Sequence, residues 1–416
     1  MTTLERQIND MEKQKFVLIN DTTTAVRFAL GDTASSDAFS RFRVSSPNVI
    51  FNSMEPLAAK SDIWSEATSG AATIAYVANT SAHKLETTAA SGDKATRSSK
   101  KLAEYVPGTS LLVFLTGVMG AGATNSRQRM GLFDDQNGLF FEQRDGVIGV
   151  TLRTYTSGTA VDTHISQASW NIDKFDGTGP SGYTIDPTKA NIFIIDLQWL
   201  GVGRVRFGFD VDGIAYYCHE ILNANAKTTV YMTTPRLPVR YEVVNVDAST
   251  ALDDFRQICS AVITEGDVSS DPFPRSVNNG ITGIGTSTTI KPVLSIRLKS
   301  AYVNKANIRP KNISITTTSK SDHLYQIWLN PTLTGASFAD VDGIAQKDVA
   351  ASGVASGTLL ASFYGSAKTQ AVTEVFNEQR VLGAALDGTS DIITVTATTL
   401  SGTDTAYAAI DYEELY

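Results

Sequence analysis

Few residues in this chain are typed and spaced for chemistry, and each set is tested by its spacing. Cys218 and His219 adjoin in "IAYYCHEI", a thiol beside an imidazole, the parts of a nucleophile and its base. Neighbours on a strand point to opposite faces, so Cys218 reads as a small core residue. The other thiol is Cys259, and the histidines are His83, His164, His219 and His323. No Cys-x-x-Cys or His-x-x-x-His spacing occurs, so neither a disulfide framework nor a zinc site is expected. Residues 200–213, "LGVGRVRFGFDVDG", resemble a dinucleotide-binding turn, which requires Gly-x-Gly-x-x-Gly at the start of a helix. Gly201 and Gly203 fit, but the third position is Arg206. Val205, Phe207, Phe209 and Val211 then alternate with polar residues, the period of a strand with one buried face. The stretch reads as turn, strand, turn, with Arg204 and Arg206 on the outer face.

Glycosidase chemistry needs two facing carboxylates roughly 5–10 Å apart. Sought along single strands, no such pair stands out. Glu142 and Asp145 fall to opposite faces, Asp411 and Glu413 share a face only at the last residues of the sequence, and Gly-x-Ser-x-Gly is absent. The acidic loops "FDDQNG" (Asp134, Asp135, Asn137) and "DKFDGTGPSGYTID" (Asp173, Asp176, Asp186) could supply oxygens to calcium. They lack EF-hand spacing, and acids in turns ordinarily serve the turn. Of the four tryptophans, Trp64, Trp170, Trp199 and Trp328, Trp170 is the best candidate to stack on a sugar, since it enters a loop, whereas Trp199 and Trp328 lie in strands and read as core. No catalytic, cofactor-binding or metal-ligating residue is assigned, no cofactor is expected, and the chain is expected not to be an enzyme.

The elements that would position such residues are strands. "RQRMGLFDDQNGLFFEQRDGVIGVTLRTY" and "NIFIIDLQWLGVGRVRFGFDVDGIAYYCHEI" alternate with period two, and Asn-Gly and Asp-Gly pairs supply the positive φ angles of tight hairpins. Strands joined so closely are antiparallel. The expected fold is all-β: a large antiparallel jelly-roll or concanavalin-like sandwich over 61–271, a Pro- and Gly-rich linker over 272–291, and a small β-sandwich over 292–416. Within the last, 338–358 reads as a long surface loop.

Residues 1–60 differ in character. Leu4, Ile8 and Met11 form a heptad fragment on a short helix, which either packs on the body or joins copies of the chain. Residues 20–60 lack a sustained period and carry Phe39, Arg41, Phe42 and Arg43. They suit either an extended docking arm that fills pockets on a partner or a strand on the chain's own body. The seven residues Leu4, Ile8, Met11, Phe39, Arg41, Phe42 and Arg43 are the candidate assembly and docking set.

The 416 residues carry a net charge of −8, against the basic surface of a nucleic-acid binder. No apolar run approaches the length of a membrane helix, and residues 1–15 are too charged for a secretory signal, so cytoplasmic synthesis without membrane insertion is expected.

Several stretches together, "SSDAFSRFRVSSPNVIFNS", "RMGLFDDQNGLFFEQRDG", "QWLGVGRVRFGF", "VYMTTPRLPVRYEV" and "QICSAVITEGD", resemble virion structural proteins of tailed bacteriophages, from about residue 33 to 270 and more weakly beyond. The middle region also resembles the laminin-G and concanavalin-like lectin sandwich. The resemblance implies a fibre, spike or decoration on the head, neck or tail. Its partners would be other copies of itself, as a trimer or other symmetric homo-oligomer, and the head, neck or tail proteins. A lectin-like module would bind a host-surface glycan, and an enzyme trimming polysaccharide is the remaining alternative.

Overall fold

The computed structural model describes residues 47–55, 60–251, 253–266, 272–318, 321–367 and 380–416, and gives the backbone of 16–18, 26–28 and 371–374. The docking set Leu4, Ile8, Met11, Phe39, Arg41, Phe42 and Arg43, and the expected N-terminal helix, lie outside the described residues.

The larger body is an all-β sandwich of antiparallel sheets. Its seven-stranded sheet runs in the order Val161–Ser166, Val147–Thr154, Gly138–Arg144, Ser126–Phe133, Pro238–Asn245, Lys94–Leu102, Trp64–Ser69. Its eight-stranded sheet runs Ile214–Ile221, Val205–Val211, Asn191–Leu197, Leu111–Val118, Asp253–Glu265, Ala82–Thr87, Thr73–Val77. Pro47–Met54 also pairs with Asp253–Glu265, and its Ile50 and Phe51 enter the core. This part of the expected arm is therefore a strand of the body, because its apolar residues have a sheet to cover.

Local chemistry sets the hairpins. Asp145 and Gly146 take φ of 51° and 80°, and Asp212 and Gly213 take 54° and 85°, the two-residue turns that match strand twist. In the glycine stretch the reversal falls on Leu200 and Gly201, at φ 36° and 76°. Gly203 serves differently: a Cβ there would lie 2.3 Å from the Gln198 carbonyl oxygen, so only glycine permits the closing bond from Gly203 N–H to the Trp199 carbonyl at 2.8 Å.

The sheets meet through alternate residues. Phe141 of the seven-stranded sheet has its ring centroid 5.0, 5.4 and 5.3 Å from those of Phe193, Phe207 and Phe209 of the other. Trp170, expected at a loop surface, is 3% exposed and packs 6.0 Å from Phe209. Arg206 is likewise not an outer-face residue open to neighbours. It is fully buried against Asp196, with its guanidinium 4.2 Å from the Tyr217 ring. Trp328 is half-buried, on the opposite face of its strand from the core residues Tyr325 and Ile327.

A second apolar cluster holds Val293, Ile296, Ile313, Tyr325, Ile327, Val395 and Ile410. It lies between a five-stranded sheet centred on Asp404–Leu415 and a six-stranded sheet centred on Lys291–Leu298 and Ile392–Thr399. Two segments expected to be irregular are not. The stretch 272–291 contains strands Phe273–Asn278 and Ile284–Thr286, both paired with Asp404–Leu415. The stretch 338–358 contains Ala339–Asp340, Ala345–Asp348 and Gly353–Ala355. Short strands beside prolines and glycines leave little periodicity to read.

The two β modules touch directly. Asn307, 4% exposed, accepts from the Leu102 N–H at 3.0 Å and donates to the Lys100 carbonyl at 3.1 Å. Arg309 meets Glu104 at 2.6 Å, Lys100 meets Asp391 at 3.0 Å, and the Leu386 N–H meets Ser65 Oγ at 2.8 Å. A Cβ at Gly383 would sit 2.4 Å from the Lys100 carbonyl oxygen, so glycine is what lets the modules close.

The aromatic nest yields a prediction. Phe141→Ala leaves a cavity facing three rings and should lower unfolding free energy by about 3–5 kcal/mol, read from urea denaturation. A loss under about 1 kcal/mol would show that the nest is not the centre of the sandwich.

Candidate functional site

Because Phe141 points inward, Phe140, Glu142 and Arg144 point outward from the seven-stranded sheet. Register then aligns polar side chains of adjacent strands in rows. One row crosses Gly149, Glu142, Arg129, Glu242 and Thr96. The next, one pleat toward the Asp145–Gly146 turn, crosses Val147, Arg144, Arg127, Val244 and Lys94. On the other side lie His164, Thr151, Phe140 and Arg240.

Arg129 is the centre of the first row. Its Nε donates to Glu142 at 2.8 Å and its Nη1 to Glu242 at 2.7 Å. Glu142 also accepts from Thr151 Oγ1 at 2.6 Å and lies 2.8 Å from Arg144 and 3.2 Å from His164 Nδ1. Gly149 makes room for that imidazole: a Cβ there would be 2.5 Å from the ring. Glu242 receives Arg240 at 2.6 Å and Lys94 at 3.1 Å, and Arg240 reaches Asp135 at 2.9 Å. Under these cations lie Phe133 and Phe140, ring centroids 4.6 Å apart. Arg240 and Arg153 stand 5.2 and 5.3 Å over their faces, a favourable placement for guanidinium on a ring.

Burial alone would raise the Glu142 carboxyl, but bonds from His164, Arg144 and Thr151 and the charge of Arg129 hold it well below the usual carboxylate range. Burial acts on Glu242 the same way and is outweighed by Arg240, Arg129 and Lys94. Burial also works against the Arg129 charge, yet Glu242 and Glu142 hold its pKa above the ordinary value. Held ionised, the two carboxylates anchor arginines, and neither carries a proton to donate at neutral pH.

A second charged cluster lies between the sheets. Arg97, fully buried, pairs with Glu66 and, at 3.3 Å, with Glu55, and stands 4.9 Å over the Trp64 ring. Trp64 Nε1 donates to Ser53 at 2.9 Å, which donates to Glu55 at 2.5 Å. His83, 3.7 Å from Glu55 and 3.8 Å from Glu66, is lowered to about 4 by burial and then by Arg97.

The residues weighed from sequence are not brought together. Cys218 is fully buried, its thiol pushed up by burial, while His219 accepts from the Asn171 N–H on the other face. Asp134 accepts the Gln136 and Asn137 N–H groups, Asp173 those of Phe175 and Ser181, and Asp176 and Asp186 those of Thr178 and Thr188, so these acids serve their turns. No group of three or more His, Cys, Asp or Glu among the described residues is placed to hold a metal. Sequence reasoning missed Arg129, Arg240 and Glu242, and weighed Glu142 only as a partner of Asp145. The signal was there as "RQR", "EQR" and "RYE", charges two apart inside strands otherwise apolar.

No family model and no curated protein matches the chain. Similar solved structures include a glycosyl hydrolase family protein from Mycobacterium fortuitum (12% identity, 52% of this chain and 99% of that one, TM-score 0.36). A beta-1,3-glucanase from Mycobacterium marinum (10% identity, 52% and 98%, TM-score 0.35) and the metal-free carbohydrate recognition domain of Emp46p (10%, 53% and 98%, TM-score 0.32) are also among them. These likenesses assign no role to any residue here. The expectation that the chain is not an enzyme is not supported by them, since proteins named as glycosyl hydrolases are among the similar structures, and a likeness of this degree gives this chain no activity.

Two stages of acid sensitivity follow. The folded pKa of His83, about 4, lies below its unfolded value near 6.5, so the unfolded chain binds the proton first and stability falls as pH drops from about 6.5 to about 4. Glu142 and Glu242 are depressed, so their contribution is full above about pH 4.3 and is lost as pH falls through the folded values. Urea midpoints measured from pH 8 to 3 should show both declines. His83→Gln should flatten the upper one, and Glu142→Gln the lower one, at a cost of about 3–5 kcal/mol at neutral pH. Slopes unchanged in both variants would refute the assignment.

Proposed function

We propose that this chain is a structural component of a tailed-phage virion, projecting two β modules as one stiff unit. The observation that carries the reading is the direct clasp between the modules, in which Asn307 bonds the main chain at Lys100 and Leu102 and Arg309 pairs with Glu104. Modules so joined transmit position from one end to the other, as a fibre, spike or decoration requires. The likeness of "SSDAFSRFRVSSPNVIFNS" and "RMGLFDDQNGLFFEQRDG" to tailed-phage virion proteins supports the setting.

Antibodies against residues 273–416 test it. They should decorate purified phage particles at one morphological position. Particles without label, with the protein found only in the soluble lysate, would refute the proposal.

A further inference from the structure

We infer that Arg127 and Arg144 form a binding site for an oxyanion substituent of a polysaccharide, a uronate carboxylate or a sulfate ester. The inference stands independently of the virion reading. The two arginines are directly opposite in register on the outer face of the seven-stranded sheet, an arrangement that repels. The nearest acid does not resolve it, because Glu142 is held by Arg129, Thr151 and Arg144. The half-buried Arg127 guanidinium makes no ion pair or hydrogen bond to another described residue. Arg144 commits Nη2 to Glu142 at 2.8 Å, while its buried Nε has no hydrogen-bond acceptor among the described residues. Burial, with the neighbouring charges of Arg144 and Arg129, pushes the Arg127 pKa down against the weaker opposing charges of Glu142 and Asp162. A bound anion would reverse that effect.

The surroundings select the rest of the ligand. The same row carries Val147, 51% exposed, on one side and Val244 then Lys94 on the other. The acids Glu142 and Glu242 lie in the next row, buried. The row therefore shows solvent only cations and apolar flanks on a chain of net charge −8. Guanidinium forks pair two hydrogen bonds with a carboxylate or sulfate, and the valines offer the apolar contact that a sugar ring's C–H face takes. From Val147 to Lys94 the row crosses four strand spacings, about 19 Å at about 4.8 Å each. That is the reach of an extended polymer with repeated charge rather than of a small ion.

The test is binding of the full chain to dextran, dextran sulfate and polygalacturonate. Binding to either polyanion and not to dextran is expected, and the polyanion that binds identifies sulfate or carboxylate as the group recognised. Arg127→Ala and Arg144→Ala should each weaken it about tenfold or more, the worth of one charge-assisted hydrogen bond. Arg127→Ala should keep or raise Tm, since it removes a like-charge contact, so its loss of binding is separable from unfolding. Lys84→Ala removes a charge from the other sheet, where Lys84 pairs with Glu86 at 2.7 Å, and should leave binding unchanged. The inference is overturned if neither polyanion binds, if dextran binds equally, or if Lys84→Ala weakens binding as much as Arg127→Ala.

Discussion

A guanidinium buried between two carboxylates is the constraint around which the larger sandwich is arranged. Arg129 reaches Glu242, 113 residues further along the chain, and Glu142 on the opposite side. A buried arginine is tolerable only where its charge and donors are met. Three strands must therefore arrive in one register. A slip by one residue in Gly138–Arg144 would turn Glu142 into the apolar layer and Phe141 out of it. The polar outer row and the aromatic inner nest thus specify the same alignment from opposite faces, and agreement between independent demands is what gives a sequence one structure.

The two buried charge clusters differ in what they hold in place. In the outer row Arg129 joins Glu142 to Glu242, and Arg153 and Arg240 stand over Phe133 and Phe140. The inner cluster ties Glu55, beside Pro47–Met54, to Arg97 on Lys94–Leu102. It joins the two sheets where both end, at Trp64–Ser69 and Thr73–Val77. Interior polarity at that end substitutes for apolar filling and fixes which strands close the edge.

How much was legible follows from the range of each interaction. Val205, Phe207 and Phe209 announced a strand because alternation is local, and Asp145-Gly146 and Asp212-Gly213 announced turns because positive φ is a property of one residue. Arg206 was given the right face but not its burial: alternation gives the face but not what covers it, and Asp196 and Tyr217 come from neighbouring strands. Trp170 was misplaced for the same reason. Its partner Phe209 is distant in sequence, and a short 3₁₀ turn, Gln167–Ser169, carries it inward. The charge row could not be assembled from sequence, since each strand shows only its own two charges. The docking residues at Leu4 to Arg43 fall outside the described residues, so the structure does not bear on them.

The clasp between modules has a consequence for divergence. Asn307 recognises main-chain atoms of Lys100 and Leu102, not their side chains. Substitutions at either position leave the peptide groups in place, so the surfaces of the two modules can drift while their alignment persists. The positions that cannot drift are Asn307 itself and Gly383, whose missing Cβ is the clearance.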